Sequence, residues 1–187
     1  MAKPRPVHDP VVLRAIAHPV RARILTELSA TGSMRAADVA RELGVPANQA
    51  SFHLRQLAKY GLVEEDPAAA RDRRDRVWRI AADEPINIDL AQIEKAPGGK
   101  AASKVFMQSA AAWAHVVVDA AYRRERDTKA HRSISEDALK LSKAEAEQLQ
   151  RELTEVVQTW AERTRGADPD RSTYHLFTIL QPYPDLP

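Results

Sequence analysis

The sequence predicts a mainly helical chain with one small β-hairpin, and three observations carry that prediction. Apolar residues recur every three or four positions over several stretches, the period of a helix with one buried face. Twelve prolines and six glycines punctuate those stretches, which suits short helices with sharp joints. The runs 62–65 and 76–80 are strand-like on either side of a polar turn, which makes a hairpin.

In chain order, MAKPRPVH lacks any apolar period and is expected to be a frayed arm. Asp9 followed by Pro10 is a cap and first-turn pair, opening a short helix over VVLRAIA. His18 and Pro19 interrupt it, and Val20, Ile24, Leu25 and Leu28 give the second helix its inward face. His18 reads as a structural residue at that joint. SATGS at 29–33 is turn chemistry, and Met34 is placed to add a one- or two-residue strand beside the hairpin.

Residues 35–43, RAADVAREL, form a short helix with Ala36, Val39, Ala40 and Leu43 inward, and Ser33 is available to cap it. Gly44 and Val45 then turn the chain into the stretch 46–60. Pro46 suits a first helical position, Ala50, Leu54, Leu57 and Ala58 make a buried stripe, and Asn48, Gln49, Ser51, Arg55 and Gln56 lie off it. Helix, short turn with glycine, helix is the helix-turn-helix arrangement. Asn, Gln, Ser and Arg carry the paired donors and acceptors that suit base edges in a DNA major groove. Every surface helix has a polar face, so the neighbouring elements are what favour nucleic acid. Phe52 falls on the polar side, where it can touch a thymine methyl or pack beneath the hairpin. His53, at the edge of the stripe, reads as a hydrogen-bonded structural histidine.

The turn of the hairpin, AAARDRRD at 68–75, is too polar for a core and makes a basic wing. Arg71, Arg73, Arg74 and Arg76 crowd it, suited to phosphates or a minor groove, although a solvated charge run has the same appearance. Charge divides unevenly along the chain. Residues 1–80 hold 14 Lys and Arg against 9 Asp and Glu, or +5; 81–187 hold 14 against 17, or −3, within a total of +2. The front half is therefore aimed at a polyanion.

At these residues the sequence resembles the ArsR family of bacterial winged-helix transcription regulators. HPVRARILTEL from His18, DVARELGV from Asp38, ASFHLRQLAKYGLV from Ala50 and a basic wing ending in VWRI look like successive family motifs in family order. The resemblance covers roughly residues 10–80. It implies a winged helix-turn-helix regulator of transcription, with the recognition helix about 46–60 in the major groove and the wing about 66–76 on the backbone or in the minor groove. The residues expected to meet DNA are Asn48, Gln49, Ser51, Phe52, Arg55, Arg71, Arg73, Arg74 and Arg76. Arg35 departs from the family, which often has a threonine-like cap there. The family's thiol-based metal sensing is not available, because there is no cysteine.

From Ala81 the composition shifts. PINIDL at 85–90 alternates as a short strand does, and APGG at 96–99 is the strongest linker signal in the chain. The expected division is a DNA-binding domain over 1–96 and a helical dimerisation or effector domain over 97–187. Lys104 to Asp127 reads as one long helix with Phe106, Ala110, Trp113, Val117 and Ala120 or Ala121 on a stripe. The polar segment 128–141 reads as loop, with ALKL a candidate short strand. SKAE at 142–145 is a capping box, starting a helix to about Arg165 with Leu149, Leu153, Val156 or Val157 and Trp160 on one stripe. TYHLFTILQ at 173–181 has the content of a closing strand. Matching stripes invite the two long helices to pack, within one protomer or across a dimer. Because one helix-turn-helix module reads only a few base pairs, a homodimer on a palindromic double-stranded operator is expected.

His115 and Asp119 fall four apart on one helix, His131 and His175 could add nitrogens, and some members of the resembled family hold zinc through late-helix carboxylates and histidines. Without an HxxxH or a cysteine pair, neither a metal nor another cofactor is expected. Trp113, Tyr122, Trp160, Tyr174 and Phe177 read as ordinary core, with an apolar effector pocket as the alternative. There is no GxSxG elbow, no Gly-rich phosphate loop and no cysteine nucleophile, so the protein is not expected to be an enzyme. No apolar run reaches the roughly 18 residues of a bilayer span, and no apolar core follows MAKPRP, so a cytoplasmic protein without membrane contact is expected. The alternatives to a DNA-binding repressor are a winged-helix protein-interaction scaffold and a metal- or small-molecule-responsive sensor. An unidentified small-molecule effector is retained among the partners.

Overall fold

A computed structural model describes residues 5–7, 9–71, 76–81, 86–123, 130–166, 168 and 170–184. Contacts divide the chain into two units, one formed by 1–113 with 166–173 and the other by 114–165 with 174–187. The fold is mainly helical with a small three-stranded antiparallel sheet, a winged helix-turn-helix.

In the first unit, Asp9 caps α1 (Pro10–Ile16), its Oδ1 accepting from the Val11 amide at 2.7 Å. α2 (Pro19–Thr31) follows at once, because the extended backbone before Pro19 breaks the helix. β2 (Met34–Arg35) leads into α3 (Ala36–Leu43), then α4 (Ala47–Lys59), β3 (Val63–Glu65) and β4 (Val77–Ile80). β4 is central, pairing antiparallel with β2 and β3, with Met34 opposite Trp78 and Glu64 opposite Arg79. Ile24, Leu28, Val39, Ala50, Leu54 and Leu57 form the core between the three main helices, closed over the sheet by Met34, Val63 and Trp78. Burying each large aliphatic side chain contributes about 1.5–3 kcal/mol, so α4 is held mainly by its inward stripe.

The expected frayed arm is corrected at its end. β1 (Arg5–Val7) pairs in parallel with β5 (Ile86–Ile88), which satisfies backbone groups on both segments; residues 1–4 and 8 lie outside the described residues. A one-turn helix that the sequence did not suggest, α5 (Leu90–Ile93), is capped by Asp89, whose Oδ1 accepts from the Gln92 amide at 3.1 Å. APGG then forms a tight turn into α6 (Gly99–Ala121), with the Gly99 amide donating to the Ala96 carbonyl at 2.9 Å. A Cβ on Gly99 would stand 1.8 Å from the Ile93 carbonyl oxygen, so this close approach admits only glycine. Leu13, Ile93 and Ala102 make a second small core beneath the joint. The Ser109 hydroxyl donates to the Ala17 carbonyl at 2.6 Å, and the Thr173 hydroxyl donates to Glu27 at 2.8 Å.

α6 begins at Gly99, five residues before the expected start, and is described to Ala121; 124–129, including the expected end at Asp127, lie outside the described residues. In the second unit α7 (Lys143–Thr164) opens on the expected capping box. Ser142 Oγ accepts from the Glu145 amide at 3.3 Å and Glu145 Oε2 accepts from the Ser142 amide at 2.7 Å. None of its residues is buried. Neither the candidate strand ALKL nor the expected strand 173–181 forms, since extended propensity makes a strand only where a ladder partner lies beside it. The Tyr174 hydroxyl instead accepts from the His131 amide at 3.0 Å. The aromatic set expected as core is likewise corrected. Trp113, Tyr122, Trp160, Tyr174 and Phe177 are all exposed and do not lie in a core.

Candidate nucleic-acid interface

The site begins at the turn between α3 and α4. Gly44 takes the left-handed conformation, φ +66°, and its amide together with that of Val45 closes the end of α3 on the Arg41 and Ala40 carbonyls at 3.2 and 3.0 Å. Pro46 is the residue before the helix, one position earlier than expected, and its carbonyl accepts from Gln49 and Ala50. α4 is thereby aimed by a fixed turn and anchored by Ala50, Leu54 and Leu57, each with no exposed surface.

The opposite side of α4 is open. Asn48, Gln49 and Arg55 are exposed, Ser51 is half-buried, and Phe52 keeps half of its surface exposed. Asn48 Oδ1 accepts from the Gln49 amide at 2.9 Å, at an exposed first-turn position. Lys59 is also exposed, four residues after Arg55 and seven after Phe52, so it continues the same face. It was not among the residues expected to meet DNA, although that spacing was legible.

His53 is buried, as its place beside the stripe suggests, but the expected hydrogen bond is absent at its Nδ1 among the described residues. Its ring instead lies 4.7 Å from that of His18, centroid to centroid, and 5.3 Å edge-on from that of Phe52. Burial foremost, then His18 and the Arg21 guanidinium, lower the basicity of His53 below its ordinary value.

The wing is rooted by a bond between residues 33 apart in sequence. The Ser33 hydroxyl donates to Asp66 Oδ2 at 2.5 Å, and Asp66 Oδ1 accepts from the Ala68 amide at 3.2 Å. The Ser33 bond, ahead of the backbone donors, holds the Asp66 carboxyl below its usual range. Ser33 is therefore not the cap of α3. Arg35 occupies that position without a side-chain cap, and Ser33 is drawn instead to the stronger, charged acceptor. On the strands, Arg79 pairs with Glu64 at 2.6 Å and Arg76 with Glu65 at 3.5 Å. Arg71 is exposed; Arg73 and Arg74 lie outside the described residues. The structure brings the turn, α4 and the root of the wing into one domain. His115, Asp119, His131 and His175 are all exposed, and no three His, Asp or Glu side chains gather at a metal-binding distance among the described residues.

A helix-turn-helix domain family matches residues 16–66, from the end of α1 to the root of the wing. No curated protein matches the chain. Among solved structures, the transcriptional regulator homologue from Pyrococcus horikoshii OT3 is 19% identical, covering 58% of this chain and 89% of its own, with a TM-score of 0.32. The homodimeric winged helix-turn-helix DNA-binding domain of Mb0332 from Mycobacterium bovis, described as a possible ArsR-family transcriptional regulator, is 22% identical over 63% of this chain and 86% of its own, TM-score 0.32. A single-residue mutant of S. aureus MepR bound to an oligodeoxyribonucleotide is 16% identical over 76% and 78%, TM-score 0.31. Among the described residues, no helix is long and apolar enough to cross a membrane.

Proposed function

We propose that the protein is a sequence-specific, double-stranded DNA-binding regulator of transcription, a homodimeric, cytoplasmic repressor of the ArsR type without catalytic activity. One observation carries the reading: α4 is fixed by a fully buried face and presents Asn48, Gln49, Phe52 and Arg55 on the other, at the end of a glycine-closed helix-turn-helix. In this reading 46–60 enters the major groove, with Asn48, Gln49, Ser51, Phe52 and Arg55 on bases and nearby phosphates. The wing, 66–76, brings Arg71, Arg73, Arg74 and Arg76 to the backbone or minor groove. The chain divides in function at about residue 96, with 1–96 reading DNA and 97–187 serving dimerisation or an unidentified effector.

Exposure supports the dimer. Of 21 large apolar side chains exposed among the described residues, all but Val11 and Phe52 lie at or beyond Val105, on α6, α7 and the extended segments around them. Soluble monomers rarely expose so many large apolar side chains over one stretch of chain, and stable interfaces remove about 800 Å² from each partner. Binding to random duplex DNA across a salt series tests the central reading. A DNA binder loses affinity linearly on a log–log scale, with a slope of about −0.9 per phosphate neutralised, whereas a protein-interaction scaffold shows almost no binding. Selection from a random duplex pool then yields the operator. Absence of duplex binding at low salt would overturn the proposal in favour of the scaffold.

A further inference from the structure

Two histidines that sequence separates by 35 positions meet beneath α4. His18 stands before the first turn of α2 and makes no side-chain cap, while His53 projects from the inner side of α4, and their ring centroids are 4.7 Å apart. Both Nδ1 atoms are buried without a hydrogen-bond partner among the described residues. We propose that this pair is a proton-operated latch: with both rings neutral α4 is seated on the α1–α2 joint, and protonation in mildly acidic conditions unseats α4 and weakens binding to DNA. The effect on DNA rests on the function proposed above; the effect on α4 does not.

The surroundings favour the neutral pair. From α2, Arg21 adds a fixed positive charge to the same joint. Its Nε donates to the Ala15 carbonyl at 2.6 Å and its Nη2 to the Arg14 carbonyl at 3.3 Å, so the closing turn of α1 holds it in place. Burial lowers the basicity of Arg21 from its ordinary value, and Tyr60, just past the end of α4, is an uncharged phenol across this pH range. From α4 itself, Phe52 contributes an edge-on ring and no charge. Burial first and then Arg21 oppose protonation of His18; burial, His18 and Arg21, in that order, oppose it at His53. A second proton would set a third cation among them.

The sign follows from linkage. Both histidines have native values below the ordinary 6.5, so above 6.5 seated and unseated chains are equally neutral and the latch is at full strength. As pH falls through 6.5 the unseated chain takes up protons that the seated chain refuses, and strength is lost until pH has passed through the depressed native values. A histidine of ordinary basicity is about ten parts protonated to one at pH 5.5, so each ring that stays neutral when seated weakens seating by up to about tenfold.

The test uses the full chain at pH 7.5, 6.5 and 5.5. Amide exchange of 47–59, corrected for intrinsic rates, is measured without DNA, and affinity for a selected duplex is measured alongside. In the wild type protection of 47–59 and affinity for the duplex should both fall as pH falls, by about fivefold or more at pH 5.5. In His18→Phe and in His53→Phe, which keep a ring and remove the proton, the fall should shrink by the share of the missing histidine, and in the double variant most of it should vanish. If either variant fails to fold, His18→Gln at the less buried position provides the same readout. A flat wild-type exchange profile, or variants that retain the full fall, would overturn the latch. Falling protection that flattens in the variants, with no duplex bound at any pH, upholds the latch and rejects the DNA-binding reading.

Discussion

Replacing Glu65 by Gln should strengthen DNA binding, and the structure bounds the size of the gain. Arg76 Nε lies 3.5 Å from Glu65 Oε1, with the two side chains 63% and 51% exposed, so a phosphate reaches this arginine only by competing with a carboxylate. Exposed pairs of this kind are worth about 0–1 kcal/mol once side-chain entropy and solvent screening are counted. Gln keeps the shape and removes the charge, so up to about 1 kcal/mol returns to phosphate binding, roughly a fivefold tighter complex. The gain should be equal for a cognate and a scrambled duplex, since a phosphate contact does not discriminate among sequences. The converse variant, Arg71→Ala with Arg76→Ala, should weaken both duplexes and flatten the log–log salt slope by up to about one unit for each phosphate no longer neutralised. Titrations of two duplexes at three salt concentrations measure all of this. Unchanged affinity for Glu65→Gln, with an unchanged slope in the double variant, would refute placement of the wing on the backbone; a gain confined to the cognate duplex would mean that Arg76 reads a base.

Asn48→Ala and Gln49→Ala should each cost about 1–3 kcal/mol on the cognate duplex and leave non-specific binding nearly intact; equal losses on both duplexes would sink the recognition-helix assignment. Gly99→Ala should destabilise the protein by about 1–3 kcal/mol or more, because its methyl meets a backbone carbonyl that can yield only by shifting α5. Thermal unfolding reads that loss, and a wild-type midpoint would show that the joint is looser than described. Light scattering at micromolar concentration should report a dimer, and Val156→Glu with Trp160→Glu should shift it toward monomer; a monomeric wild type contradicts the dimer directly. Zinc, nickel and cobalt should leave DNA affinity unchanged, and metal-dependent release from the selected duplex would reverse that expectation.

The sequence was most legible where the determinant is local. The period of Ala50, Leu54 and Leu57, the left-handed Gly44, the Asp9 cap and the Ser142–Glu145 box each involve residues within a few positions of one another, and each appears where spacing places it. The outward residues of α4 followed from the same period, as Lys59 would have. What escaped depends on partners distant along the chain. Nothing near Ser33 announces Asp66, nothing near Arg5 announces Ile86, and APGG reads as a linker until Ile93 is seen against Gly99. His18 and His53 each read separately as structural residues, and only the fold makes them one group.

The contrast between α7 and Thr173–Gln181 has the same physical basis. A helix satisfies its backbone within its own turns, so a capping box and good helix formers suffice for α7 although none of its residues is buried. A strand satisfies its backbone only against a neighbour, so the β-branched and aromatic content of Thr173–Gln181 forms no ladder in the isolated chain. Both segments expose side chains that elsewhere line cores: Leu153, Val156 and Trp160 on α7, and Tyr174, Leu176 and Ile179 beyond it. If the proposed dimer covers these faces, the two should respond differently to dilution. Helix content should persist as the dimer dissociates, while amide protection in 173–181, gained only through an intermolecular ladder, should disappear with it. Circular dichroism and amide exchange across the dissociation range separate the two, and protection of 173–181 that survives in the monomer would show that its partner lies within the same chain.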